Sequence, residues 1–234
     1  MSEFKFTRPD AFPPLVKNLI IINVLVFLGQ LTLGQVFDFS RWLALHDVRS
    51  SFFEPYQLVT YLFLHSTTNF FHLIFNMFAV WMFGGKLENH WGPKRFFIFY
   101  FVTGIGAGLL HLLVMYFELS PVVETVKGLP IDMQLELIND PRYKLNVSTM
   151  GASGAVFGCL AAFGYLFPNT LLYIYGAIPV KAKWLVIGYG VLELYLGVKN
   201  SPDDNVAHFA HLGGAVAGII LVLIWNKTNR KTFY

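Results

Sequence analysis

The chain has 234 residues, 55% hydrophobic and 13% charged, with 24 phenylalanines, a mean hydropathy of +0.54 and a formal charge of +3. A soluble globular domain carries roughly 25% charged residues, so this composition excludes that class and points to a polytopic membrane protein. The lone cysteine, Cys159, excludes an intrachain disulfide framework, and no nucleic-acid partner is expected.

A short tail, residues 1–14, precedes the first apolar stretch, Leu15–Leu33. About 20 helical residues cross roughly 30 Å of hydrocarbon. This stretch is longer than a signal-peptide core and no A-x-A-like cleavage site follows it, so a retained helix is expected. The outer loop 34–67 mixes charged residues with Phe37, Trp42, Phe52, Phe53 and Tyr56, which suits an amphipathic segment in the interface better than a plain solvent loop. Two further apolar stretches follow, Thr68–Glu88 and Arg95–Phe117. The loop 118–147 is acidic and marked by Pro121, Pro130 and Pro141, and is expected to project into the outer aqueous space. Ser148–Phe167, Ala182–Val198 and Val206–Trp225 complete the set, before a tail at 227–234. The expected fold is an all-α polytopic membrane bundle with six transmembrane helices spanning residues 15–226.

Charge orients this bundle. With the N-terminus in the cytoplasm, Lys5, Arg8, Lys17, Lys86, Lys94, Arg95, Lys181, Lys183, Lys227, Arg230 and Lys231 all lie inside. The outer loops keep fewer cations, diluted by acids from Asp38 to Asp204. That is the positive-inside pattern, and it predicts both termini in the cytoplasm.

Gly151-Ala152-Ser153-Gly154 sets a glycine-flanked serine in one apolar stretch, and His208 and His211 stand in another. Ionisable and polar groups are costly in a membrane and mark function by default. The fourth and sixth spans both enter from outside, with Ser153 and His211 each about five residues in, roughly 7–8 Å deep at ~1.5 Å per residue. Equal depth allows a nucleophile to meet its base. Gly151, Gly154 and Gly158 on one span, with Gly214 and Gly218 on the other, let the two helices approach closely. The plain alternative is that these glycines only pack helices and Ser153 packs with them. His72 and Asn76, one turn apart, face the bundle interior as oxyanion donors or as a simple helix–helix hydrogen bond. His65, His72, His208 and His211 invite a metal site, but there is no H-E-x-x-H helix and scarcely a carboxylate in the spans beyond Glu193. No metal and no cofactor is expected. No span contains aspartate, which argues against an aspartyl protease.

These motifs resemble those of the rhomboid family of intramembrane serine proteases. Gly151-Ala152-Ser153-Gly154 is similar to the G-x-S-G nucleophile motif, and Ala207-His208-Phe209-Ala210-His211-Leu212-Gly213-Gly214 to the histidine motif. His72-Leu73-Ile74-Phe75-Asn76 resembles the H-x-x-x-N motif, with Gly84-Gly85-Lys86-Leu87-Glu88 and Trp91-Gly92 matching the end of that helix. The similarity runs from about Pro55 to Gly218. It implies a Ser153–His211 dyad, with His208 outside it, and an oxyanion hole made by His72, Asn76 and the Ser153 backbone. Some relatives carry tyrosine where this chain has Phe157, which keeps the stacking on the histidine and drops the hydroxyl.

The implied reaction is acyl transfer on single-pass transmembrane substrates in the lipid bilayer, cut near the outer face. Glu193 is the only intramembrane candidate for an acid behind His211, and its helix runs the wrong way to orient that ring, so it is expected to pack toward one membrane edge. The rival readings are an inactive rhomboid-like binder and a six-span transporter. A six-span core without a targeting peptide suits a bacterial cytoplasmic membrane. The sequence does not determine the oligomeric state.

Overall fold

The computed structural model describes residues 9–174, 176–199 and 206–229, without the side chains of 228 and 229. Residues 1–8 and 230–234 of the expected tails, and with them Lys5, Arg8, Arg230 and Lys231, lie outside the described residues, as does Asp204.

Helix α1 (Pro14–Leu33) opens on a proline, whose missing N–H is no loss in a first turn. The next two N–H groups, of Leu15 and Val16, donate to the carboxylate of Glu88 at 2.9 and 2.8 Å. Loop 34–67 is ordered on the bundle through the short helices α2 (Phe39–Leu43) and α3 (Gln57–Thr60) and a 3₁₀ turn, Tyr61–Phe63. It buries His46, Asp47 and Gln57 while Val36, Phe37, Trp42 and Tyr56 stay exposed. The second long helix is continuous but not uniform: α4 (Phe70–Ala79) passes through a π segment, Val80–Gly84, into α5 (Gly85–Trp91). Gly92 ends it with φ +80°, a left-handed conformation that glycine adopts freely, and α6 (Pro93–Glu118) begins at the next residue.

The stretch expected to project as an acidic loop is largely helical. It forms α7 (Ser120–Lys127) and α8 (Ile131–Asn139), then a 3₁₀ turn, Lys144–Asn146. Pro121 and Pro130 mark helix starts there, positions where a fixed φ and an absent N–H cost nothing. The segment also packs back on the first loop: Ser50 Oγ donates to Asn146 Oδ1 at 2.6 Å and Ser51 Oγ to the Ile138 carbonyl at 3.0 Å.

Helix α9 (Ser153–Leu166) comes next, then a hairpin of β1 (Leu171–Ile174) and β2 (Ile178–Lys181), antiparallel with Leu171 opposite Lys181. Helices α10 (Ala182–Lys199) and α11 (His208–Asn229) complete the described chain. Residues Gly154 to Gly164 of α9 are all buried except Phe157, because α6 and α11 pack along this helix. The α9–α11 contact is backbone on backbone. A Cβ at Gly214 would strike the Gly154 carbonyl oxygen, and one at Gly218 would lie 2.8 Å from that of Gly158.

Among the described residues, four helices are long and apolar enough to cross a membrane: Pro14–Leu33, Phe70–Trp91, Pro93–Glu118 and His208–Lys227. The other two expected spans fall outside that description for physical reasons. At 14 residues, α9 is roughly 21 Å long at ~1.5 Å per residue, and α10 carries Lys183, Glu193 and Lys199. The chain is a mostly helical integral membrane protein, whose outward side chains form an apolar belt that includes Leu25, Leu28, Phe97, Leu113, Leu192 and Ile220.

Candidate active site

Ser153 is not a full turn inside a helix, as its sequence setting predicts; it is the first residue of α9. The run 148–152, expected as helix, instead enters the bundle as non-helical chain tied at three points. Leu45 and Thr149 exchange backbone hydrogen bonds at 2.9 and 2.8 Å, and the Gly151 N–H donates to the Tyr61 carbonyl at 2.9 Å. The Thr149 hydroxyl meets His111 Nε2 at 2.7 Å. Gly151 has φ +132°, which disfavours any side chain, and a Cβ there would lie 2.8 Å from His72 Nε2. The chain can turn into α9 at this point only because residue 151 has no side chain. That turn leaves the first N–H groups of α9 without partners inside the helix, facing the same region as the Ser153 hydroxyl.

His211 is the fourth residue of α11 and is buried. Its Nε2 lies 2.8 Å from Ser153 Oγ, and its ring stacks on Phe157 with centroids 4.2 Å apart and planes 7° from parallel. On the other side of the ring, Nδ1 lies 2.9 Å from Glu193 Oε2. This corrects the expectation for Glu193: it does not pack at a membrane edge, and its antiparallel helix is no obstacle. Glu193 stands six residues before the end of α10 and His211 three after the start of α11, so both lie in the same half of the helix pair. The register follows from Gly197, where a Cβ would lie 3.2 Å from His208 Cβ; one turn back along α10, Glu193 meets the next turn of α11. His208, expected to lie outside the dyad, is buried with Nδ1 2.6 Å from the same carboxylate oxygen.

An ionised carboxylate can only accept, so both Nδ1 atoms donate to Glu193. The neutral His211 ring then presents a lone pair at Nε2, and the Ser153 hydroxyl donates to it. Glu193, His208 and His211 are compact enough to hold a metal ion, with ligand atoms within 4.8 Å of one another. The N···O separations of 2.6 and 2.9 Å are hydrogen-bond lengths, whereas two donor atoms of one tetrahedral zinc ion, each about 2.0–2.2 Å from it, stand more than about 3.2 Å apart.

His72 lies across Gly151 from His211. Its Nδ1 accepts from the Ser66 backbone N–H at 3.3 Å, so the neutral ring carries its proton on Nε2, the atom beside Gly151. His65, in the loop before α4, packs against His72 with centroids 5.0 Å apart. Burial, then the nearness of His72, push its pKa down to about 4, so near neutral pH it brings no positive charge to the site. Asn76 follows one turn along α4 and donates its amide to the His72 carbonyl at 2.8 Å. Among the described residues no hydrogen bond joins Asn76 to Ser153. Thus Ser153, His211, Phe157, Gly151 and His72 come together, Gly154 seats α9 against α6 and α11, and Asn76 is tied to His72 through the His72 carbonyl.

The fold and site define a class: a helical integral membrane protein with a serine at a buried helix start facing the imidazole of a neighbouring helix. Residues 53–227 match the Rhomboid domain family model, and the chain belongs to the rhomboid family. It is 26% identical over 222 residues to RHOMBOID-like protein 12, mitochondrial, of Arabidopsis thaliana, covering 93% of this chain and 59% of that one. Rhomboid-like protease 3 of Toxoplasma gondii is 28% identical, covering 75% of this chain and 53% of that one. Rhomboid protease AarA of Providencia stuartii is 26% identical, with coverages of 69% and 53%. The chain therefore spans between about half and three fifths of the length of these relatives. Their names span a mitochondrial protein and a bacterial one, and do not support the expected bacterial cytoplasmic membrane.

Proposed function

We propose that this chain is an intramembrane serine endopeptidase that cuts single-pass transmembrane proteins near the outer face of the bilayer. The observation that carries the reading is the 2.8 Å approach of Ser153 Oγ to His211 Nε2 inside a helical bundle of the rhomboid family. Relatives that bear the word protease in their names support it.

Ser153 Oγ attacks the scissile carbonyl carbon while its proton passes to His211 Nε2. The carbonyl electron pair moves onto oxygen, and the tetrahedral intermediate collapses as Nε2 returns the proton to the leaving amine. Water then repeats the sequence on the acyl-enzyme. The developing oxyanion is held by the Ser153 backbone N–H, at the positive end of α9, with His72 Nε2–H and the second N–H of the Asn76 amide, the one not engaged by the His72 carbonyl. In this reading α9 and α10 complete six spans with both termini in the cytoplasm, and the site opens outward.

The test is cleavage of a reconstituted transmembrane substrate by the protein in liposomes. Ser153→Ala and His211→Ala are each expected to abolish cleavage while the protein stays folded. Undiminished cleavage by the serine variant would end this reading.

A further inference from the structure

Helix α10 lies at the edge of the bundle. Most of its large apolar side chains, from Trp184 to Val198, are exposed, and its buried residues are Ala182, Glu193 and Gly197. A helix that turns its greasy face to lipid has thus aimed its single carboxylate inward. A buried charge is expensive unless it is paired and hydrogen-bonded, and Glu193 is paired twice, to His208 and to His211.

We propose that Glu193 is a positioning residue for His211, a third member behind the Ser153–His211 pair, and that His208 holds Glu193 in place. The inference rests on the serine-protease reading above. The contact does three things at once. It fixes the proton of the neutral His211 ring on Nδ1, so that Nε2 is free to accept from Ser153. Together with the Phe157 stack it fixes the ring plane and its tilt. When the Ser153 proton arrives at Nε2, the ring becomes an imidazolium with both nitrogens protonated, and the buried carboxylate stabilises that charge directly. Glu193 takes no proton itself: the Nδ1 proton stays on the ring, and the Nε2 proton leaves with the amine.

His208 gives the arrangement its rigidity. Its Nδ1–H occupies the same oxygen that serves His211, and it stands one turn earlier on α11, so the carboxylate is clamped between two rings of one helix. Without His208, the Glu193 side chain regains rotamer freedom and the second hydrogen bond loosens.

The experiment compares Glu193→Gln, Glu193→Asp and His208→Ala with Ser153→Ala, using the full chain in liposomes and a transmembrane substrate. Kinetics are normalised to folded protein, measured by thermal unfolding. Glu193→Gln is expected to lower kcat by about 10²–10⁴-fold with KM changed less than about threefold. The rate at which a fluorophosphonate labels Ser153 should fall with it. Glu193→Asp keeps the charge at a shorter reach and should recover part of the loss, and His208→Ala should lose kcat by less than Glu193→Gln. Wild-type kcat and labelling in Glu193→Gln would overturn the proposal, and so would a loss confined to KM. If Glu193→Gln does not fold, Glu193→Asp decides: a loss in kcat alone supports the role, and wild-type kcat removes it. Ser153→Ala separates the two levels. Cleavage surviving in that variant ends the protease reading itself, whereas an inert Ser153→Ala beside a fully active Glu193→Gln ends only this inference.

Discussion

At His72 the Ser66 N–H occupies one ring nitrogen and leaves the other as a donor beside Gly151. Removing that donor in His72→Ala is expected to lower kcat by about 10²–10³-fold with KM nearly unchanged, since an oxyanion forms only after attack. Steady-state kinetics on a transmembrane substrate measure this, and wild-type kcat would take His72 out of the oxyanion role. His72, Ser153, His211 and Phe157 are legible in the sequence because each belongs to a short motif whose spacing already sets its face of a helix. Glu193 is not. Its contact depends on how α10 and α11 register across residues 200–205, a relation that no single segment encodes. The depth of Ser153 is not legible either, because hydropathy does not distinguish an uncharged extended run from helix, and residues 148–152 are as free of charge as helix α9 itself.

Among the elements, the join between α1 and α5 shows how a buried acid can serve structure alone. Glu88 is 2% exposed and accepts from the N–H groups of Leu15 and Val16, two of the unpartnered donors at the start of α1. Glu88→Ala strands both donors and removes a negative charge from the positive end of a helix, at a cost of about 3 kcal/mol. The expected result is a lower unfolding midpoint in detergent, with kcat per folded molecule preserved. An unchanged midpoint would contradict the latch. Glu88 and Glu193 are both buried and doubly bonded, but one faces backbone N–H groups and the other faces the imidazole beside a nucleophile. The helices α7 and α8 are hidden in the sequence for a different reason. Pro121 and Pro130 read as loop markers there, although proline is equally at home at a helix start.

Across the whole molecule, the proposed orientation, with the serine site opening outward, rests on the charge pattern of the sequence. Cys159 is buried, so single cysteines introduced elsewhere report cleanly. In sealed vesicles with the outer face exposed, Lys127→Cys should react with a membrane-impermeant maleimide, whereas Lys86→Cys and Lys183→Cys should react only after permeabilisation. The opposite pattern would reverse the topology. Of the six proposed spans, four are plain in length and hydropathy among the described residues, while α9 is shortened by the non-helical approach to Ser153 and α10 is marked by its charges. What distinguishes an enzyme from a folded but inert relative is whether Ser153 is a nucleophile. The most direct measurement is covalent labelling of the full chain by a fluorophosphonate, with the modified residue located by mass spectrometry. Labelling at Ser153, abolished in Ser153→Ala and strongly slowed in His211→Ala, is the predicted result. Absence of labelling in the folded wild-type protein, or labelling that persists in Ser153→Ala, would contradict it.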